Sequence, residues 1–187
     1  RSPDVHDVAS LFGWGGRKSS PSSATPSPSS AHEATAAVAT PASSKVLPKV
    51  LATLAHVEAP ILMDLGPVVG SNISFFGEEL ACRIFVEDLF AIVETHARAG
   101  TRELAGDAVL SRLSREPGSI DGILCWDLFD YLDKQSAPKL ATALVTLLKP
   151  GGVLYAFFGQ KAETLGHYHR FIVEGRDRMT LRPAPAT

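Results

Sequence analysis

The chain predicts an α/β fold, a mostly parallel sheet with helices on both faces. Continuous apolar runs near residues 60–65, 83–87, 121–125 and 153–158 read as strands buried on both sides. Stretches with helical periodicity separate them, as parallel pairing requires. The first run then passes into Asp64-Leu65-Gly66-Pro67-Val68-Val69-Gly70-Ser71-Asn72, an acid, two glycines four apart and a polar opening. That is a strand feeding a tight turn and a helix, with the 60–65 strand at the centre of the sheet. Glycine there permits close backbone approach, and a helix N-terminus leaves amides free for a ligand's polar atoms.

Taken in order, residues 1–18 form a short segment in which Val5 to Trp14 reads equally as a docking helix or a fraying terminus. Residues 19–44 are Ser, Pro, Ala and Thr with almost no large apolar side chain, which predicts a disordered linker. The folded domain is expected over 45–187. It opens on a helical stripe of Val46, Leu47, Val50, Leu51, Leu54 and Val57, with Pro48 tolerated in the first turn. After the glycine turn, Cys82 to Asp88 reads as a second strand ending in paired acids. Glu87 lies seventeen residues beyond Gly70. An acid at a strand tip about 20 residues after such a turn can accept hydrogen bonds from both ribose hydroxyls.

Leu89 to Ser119 offers no clear apolar strand, only a helix-compatible pattern from Arg102 to Leu113, with Asp107 on its exposed face. Ile120 to Asp127 is the next strand. Leu140, Leu144, Leu147 and Leu148 recur at helical spacing, and Pro150, Gly151 and Gly152 are expected to stop that helix before Val153 to Phe158. Gly159 to Gly166 reads as a loop. His169 to Glu174 and Met179 to Leu181 read as two short strands joined through Gly175, Arg176 and Asp177.

A net charge of −2 gives no electrostatic reason to expect nucleic acid. Arg170, Arg176, Arg178 and Arg182 are interrupted by Glu174 and Asp177, which makes a solvated face. No apolar run reaches membrane-spanning length. Cys82 opens one strand and Cys125 closes another, too far apart for a disulfide in a parallel sheet, so a reducing cytoplasm is the expected setting. Metal binding by His167 and His169 is the minority reading, since no further ligands accompany them. Cys125 has no histidine nearby in sequence to activate it, and a buried thiol is expected.

Asp64-Leu65-Gly66-x-x-x-Gly70, then Val86-Glu87, then Ile120 to Asp127, then Leu148-Lys149-Pro150-Gly151-Gly152 together resemble class I S-adenosylmethionine-dependent methyltransferases. The resemblance covers about Lys45 to Gly159. It implies a Rossmann-like, doubly wound, mostly parallel sheet and methyl transfer from S-adenosylmethionine to an acceptor, a small molecule or a protein. Asp64, Gly66 and Gly70 would line the methionine end of that cofactor, with Asn72 opening the adjoining helix. Glu87, with Asp88 beside it, would hold the ribose. Cys125, Trp126 and Asp127 would sit where cofactor and acceptor meet. Asp127 would orient or deprotonate the acceptor, a role open also to Asp130, although either can equally cap the helix that follows.

Three departures from the family stand out. Val68 and Val69 fill the glycine loop, the third strand is degenerate, and nothing in Arg182 to Thr187 supplies the family's closing helix. The last predicts either a chain that continues beyond Thr187 or a fifth-strand edge left open to self-association. A non-catalytic binding or scaffolding protein on the same fold remains an alternative. A nicotinamide-dependent oxidoreductase is disfavoured because Gly-x-Gly-x-x-Gly is absent.

Overall fold

The apolar runs become strands, and the helical stripes cover them, in the computed structural model, which describes residues 39–159 and 168–183. In chain order the elements are β1 (Thr40–Ser43), α1 (Leu47–Leu54), β2 (Ile61–Asp64), α2 (Gly70–Leu80), β3 (Arg83–Val86), α3 (Leu89–Ala99) and α4 (Arg102–Arg112). There follow β4 (Ile120–Trp126), a 3-10 turn (Leu128–Tyr131), α5 (Ser136–Leu147), β5 (Leu148–Ala156), β6 (His169–Val173) and β7 (Arg178–Pro183). The fold is α/β. A four-stranded parallel sheet runs in the order β3-β2-β4-β5, and the glycine-loop strand β2 is interior, as expected.

All seven residues of β4 are buried, so this strand is the floor of the core. Leu47, Val50, Leu51 and Leu54 of α1 pack on the sheet, together with Leu140, Leu144 and Leu147 of α5, Phe76 and Leu80 of α2, and Leu89, Phe90 and Val93 of α3. A Cβ placed on Gly122 would come within 2.9 Å of a Leu62 methyl and 3.0 Å of a Leu54 methyl, so a side chain there would have to displace both leucine ends.

The segment between β3 and β4 holds α3 and α4 packed on each other and no strand among the described residues, in keeping with its lack of a clear apolar run. Other features differ from the sequence reading. The Pro150-Gly151-Gly152 stop lies inside β5: α5 already ends at Leu147, and the ladder jumps from Ile120↔Leu148 to Gly122↔Val153, so Lys149 to Gly152 form a bulge. Gly151 takes a positive φ of 82° within it. β5 also ends at Ala156, two residues short of the expected Phe158.

The linker reading also needs correction at its end, because Thr40–Ser43 is a strand that pairs antiparallel with β7. The two predicted C-terminal strands are present as β6 and β7. With β1 they make a separate three-stranded sheet, in the order β1-β7-β6, instead of extending β5. The 1–18 segment and the linker as far as residue 38 lie outside the described residues.

One buried acid fastens the amino-terminal end of the parallel sheet. Asp121, 5% exposed, accepts from the Ile61 amide at 2.8 Å and from Lys149 Nζ at 2.8 and 2.9 Å. It thereby ties β2, β4 and the β5 bulge together. Asp121→Ala leaves the Ile61 amide unpaired and is expected to cost about 2–3 kcal/mol in chemical denaturation, the scale of a buried charge-assisted bond. Lys149→Ala should cost less, since Lys149 is 39% exposed and its loss is partly met by water.

Candidate functional site

The carboxyl ends of β2, β3 and β4 bring the sequence-selected residues to one rim. The Leu65 amide donates to Leu124 O at 2.9 Å, and the Glu87 amide donates to Asp64 O at 2.8 Å. The glycine loop, the β3 tip and the end of β4 are therefore backbone neighbours. In open parallel sheets, ligands bind outside these ends, where connections diverge to either side. β2 is such a point, with β3 on one flank and β4 on the other.

Asp64 is the centre of the rim. It is 3% exposed, and its Oδ1 accepts from Trp126 Nε1 at 2.6 Å and from the Gly66 amide at 2.9 Å. Burial pushes its pKa up to about 6, against the lowering effect of those two hydrogen bonds, and the nearby Asp88 charge adds to the rise. Trp126 lies directly over the loop: a Cβ on Gly66 would sit 2.6 Å from its Cδ1 and 2.7 Å from its Nε1. Gly66 is required there because the indole takes the space of a side chain. Gly70 opens α2 with nothing within 4 Å of its added Cβ. That helix has no side-chain cap, and of its first-turn amides that of Asn72 donates to Val69 O at 3.0 Å.

Trp126 reaches this place through its backbone. The β4–β5 register shifts between Leu124 and Trp126, and Trp126 has φ +51°. A bulge with a left-handed residue re-aims a side chain that would otherwise follow strand alternation. The indole then stacks on Phe171 of β6, with ring centroids 5.0 Å apart and planes 12° from parallel, and meets Tyr155 edge-on at 6.0 Å. Cys125, fully buried, has its thiol pKa pushed up to about 12, chiefly by burial and then by the Asp127 charge, so it is an inert packing group.

The other selected residues have visible structural partners. Asn72 is 2% exposed and bridges to β6, donating to Phe171 O at 2.7 Å and accepting from the Val173 amide at 2.8 Å. Its side chain holds the small sheet against α2. Asp88 caps α3 by accepting from the Ala91 amide at 3.1 Å. Glu87 pairs with Arg115 at 3.2 Å and Arg112 at 3.6 Å, and Arg115 lies 3.8 Å above the Phe85 ring.

Asp127 has a partner that the sequence did not indicate. Its Oδ2 is 3.2 Å from His169 Nδ1, where an Nδ1–H donates, and 3.5 Å from the Tyr131 hydroxyl, while Oδ1 is buried without a partner. Burial and then the charges of Asp127 and Asp130 raise the Tyr131 pKa. His169 is 31% exposed, and among the described residues its Nε2 has no partner. Asp130 is taken up by the Gly159 amide at 2.6 Å. His169 and Phe171 share a face of β6 by strand alternation, a signal readable in sequence, but their meeting with Asp127 and Trp126 spans 42 and 45 residues and is not.

A cavity of about 860 Å³ opens beside this rim, lined among others by Phe90, Val93, Glu94, Tyr131, Ser136 and Tyr168. Asp130, the alternative to Asp127, lines it, and the other sequence-selected residues do not. It adjoins them through Tyr131, beside Asp127, and through Phe90, two residues beyond Asp88. Tyr168 donates to Glu94 at 3.1 Å on its wall. Both cysteines are free, and no cluster of three metal-ligating side chains exists among the described residues.

The raised Asp64 pKa fixes a pH dependence. A carboxyl whose pKa is higher in the folded than in the unfolded state stabilises the fold below the unfolded value of 3.8, and that stabilisation is lost as pH rises through about 6. Relative to Asp64→Asn, the wild type should lose up to about 3 kcal/mol between pH 4 and pH 7, at 1.36 kcal/mol per unit. Denaturant melts of both proteins across that range check it; parallel curves would contradict it.

Set against known protein families, characterised proteins and solved structures, the chain gives no match.

Proposed function

We propose that this chain is a class I S-adenosylmethionine-dependent methyltransferase domain. The observation that carries the reading is the shared rim: an acid and glycine loop at the end of an interior parallel strand, a second acid at the tip of the next strand, and a third acid beyond β4. The α2 amides and open Gly70 suit a ligand's polar end, and Glu87 suits ribose hydroxyls. The place over Gly66 suits the methionine end only when Trp126 vacates it. Bound S-adenosylmethionine supplies a methyl group already activated by its positively charged sulfur.

The chain's own contribution is alignment and proton handling, and alignment alone lowers such barriers by several kcal/mol. Asp127 keeps Oδ1 buried, so it acts as a positioning residue. It holds His169 by Nδ1, and Nε2 takes the acceptor's proton. The acceptor, a small molecule or an exposed protein side chain, enters through the 860 Å³ cavity beside Tyr131. No helix among the described residues is long and apolar enough to cross a membrane. A cytoplasmic site of action accords with the free thiols, and self-association would use the outer edge of β5.

A non-catalytic binding protein is the second reading. It is favoured by Trp126 filling the Gly66 cradle and by Glu87 standing in ion pairs with Arg115 and Arg112. Calorimetric titration separates the readings. S-adenosylmethionine should bind and NAD should not, and Glu87→Ala should weaken the former by about ten- to a hundredfold, equal to 1.5–3 kcal/mol. Arg115→Ala should leave affinity within about threefold. If Arg115→Ala weakens binding as much as Glu87→Ala does, Glu87 acts only by holding the arginine. Absence of binding to the wild type favours the second reading.

A further inference from the structure

We propose that Trp126 is a displaceable plug that sets which ligand the rim accepts: closed, the site takes a nucleoside thioether without an amino-acid tail, and only with the indole swung away does it take the tailed cofactor. The proposal rests on the S-adenosylmethionine reading and adds to it a specificity-determining residue.

Three independent features support displacement. First, the indole sits where a ligand in this fold must pass. Ligands lie outside the carboxyl ends of the strands, and Gly66 clears that path of a side chain, yet Trp126 Cδ1 and Nε1 would stand 2.6 and 2.7 Å from its Cβ. Second, the backbone that aims the indole is strained. A bulky residue at φ +51° occupies a sparsely populated region, and such strain persists only where surrounding contacts hold it. Third, those contacts are replaceable. Asp64 Oδ1 accepts the indole N–H at 2.6 Å, and a ligand's protonated amine can donate to the same oxygen, so one hydrogen bond is exchanged for another.

The indole, 2% exposed, is otherwise held by its stack on Phe171 of β6 and by the edge-on ring of Tyr155 on β5. Phe171 in turn stacks on Phe157, with centroids 5.1 Å apart and planes 9° from parallel. Withdrawing Trp126 therefore leaves a paired aromatic wall in place behind it. The Glu87 end of the rim lies across Asp64 from the indole, since the Glu87 amide bonds Asp64 O. A nucleoside can thus engage Glu87 without touching Trp126, and the amino-acid tail cannot.

The test compares S-adenosylhomocysteine with 5′-methylthioadenosine, which shares the nucleoside and thioether but has no tail. Trp14→Phe leaves Trp126 as the sole tryptophan and makes its emission a direct report. S-adenosylhomocysteine should shift that emission, and 5′-methylthioadenosine should bind without shifting it. Trp126→Phe retains a ring to stack on Phe171 and removes the pyrrole edge that meets Gly66 and Asp64. It should bind S-adenosylhomocysteine at least tenfold tighter and 5′-methylthioadenosine equally. Should that variant fail to fold, the emission measurement alone decides. Binding of both compounds with Trp126 emission unmoved overturns the plug and leaves the cofactor reading standing. Binding of neither compound to either protein overturns the cofactor reading and the plug with it.

Discussion

A single buried carboxylate organises the rim at the carboxyl ends of the parallel strands. Asp64 ends the interior strand, and its one oxygen Oδ1 receives both the Gly66 amide and the Trp126 indole. The first bond shapes the turn that sends the chain into α2, and the second draws the end of β4 back over that turn. Burial of an acid is costly unless hydrogen bonds compensate, and here two do so only in part, as its raised pKa records. The rim is thus built around a group that would gain from a better partner than a neutral indole.

The small β1-β7-β6 sheet depends on the same arrangement. It joins the parallel sheet through side chains, since its strands share no ladder with β5. Asn72 supplies both of its amide groups to β6, and Phe171 supplies the face on which Trp126 rests. At the other end, Tyr155 of β5 donates to Ser44 at 2.8 Å, just past β1, while the same hydroxyl oxygen of Ser44 accepts from the Leu47 amide at 3.0 Å and so starts α1. These contacts bury polar atoms that are each satisfied, the condition under which such joints specify one packing. Reordering Trp126 would be felt by β6 through Phe171 and by β5 through Tyr155.

Legibility in the sequence followed the length and continuity of apolar runs. β2, β3 and β4 were readable because Ile61-Leu62-Met63, Ile84-Phe85-Val86 and Ile123-Leu124-Cys125 are uninterrupted. β5 was half legible: Pro150, Gly151 and Gly152 are breaking residues, and the chain uses them to bulge within a strand where the sequence reading placed a turn before one. β1 was not legible at all. Thr40-Pro41-Ala42-Ser43 has no strand pattern, and its pairing is imposed by β7, more than 130 residues away. For the site, the rim positions of Asp64, Gly66, Glu87 and Asp127 could be read from strand ends. Their side-chain partners could not, because Trp126 points back only through a positive φ that sequence does not encode, and His169 arrives from a separate sheet.

The missing third strand explains why Glu87 carries two arginines. With no strand beyond it among the described residues, β3 is an edge, with Arg83 exposed and Ile84 to Val86 half-buried. Arg115 lies over Phe85 and is anchored by Glu87 Oε1, so a cation and its counter-ion cover the flank where a third strand would pair. Charge on an edge strand also discourages pairing with another chain. This duty does not exhaust the carboxylate. Among the described residues its second oxygen, Oε2, meets only Arg112, at 3.6 Å, and that arginine is 66% exposed. Exposed ion pairs of this kind are worth under about 1 kcal/mol, less than a hydrogen bond from a ligand hydroxyl to a charged acceptor. Glu87 can therefore keep Arg115 on the sheet edge with one oxygen while the other stays open to a hydroxyl, so that covering the strand edge and the proposed ribose contact are compatible in one side chain.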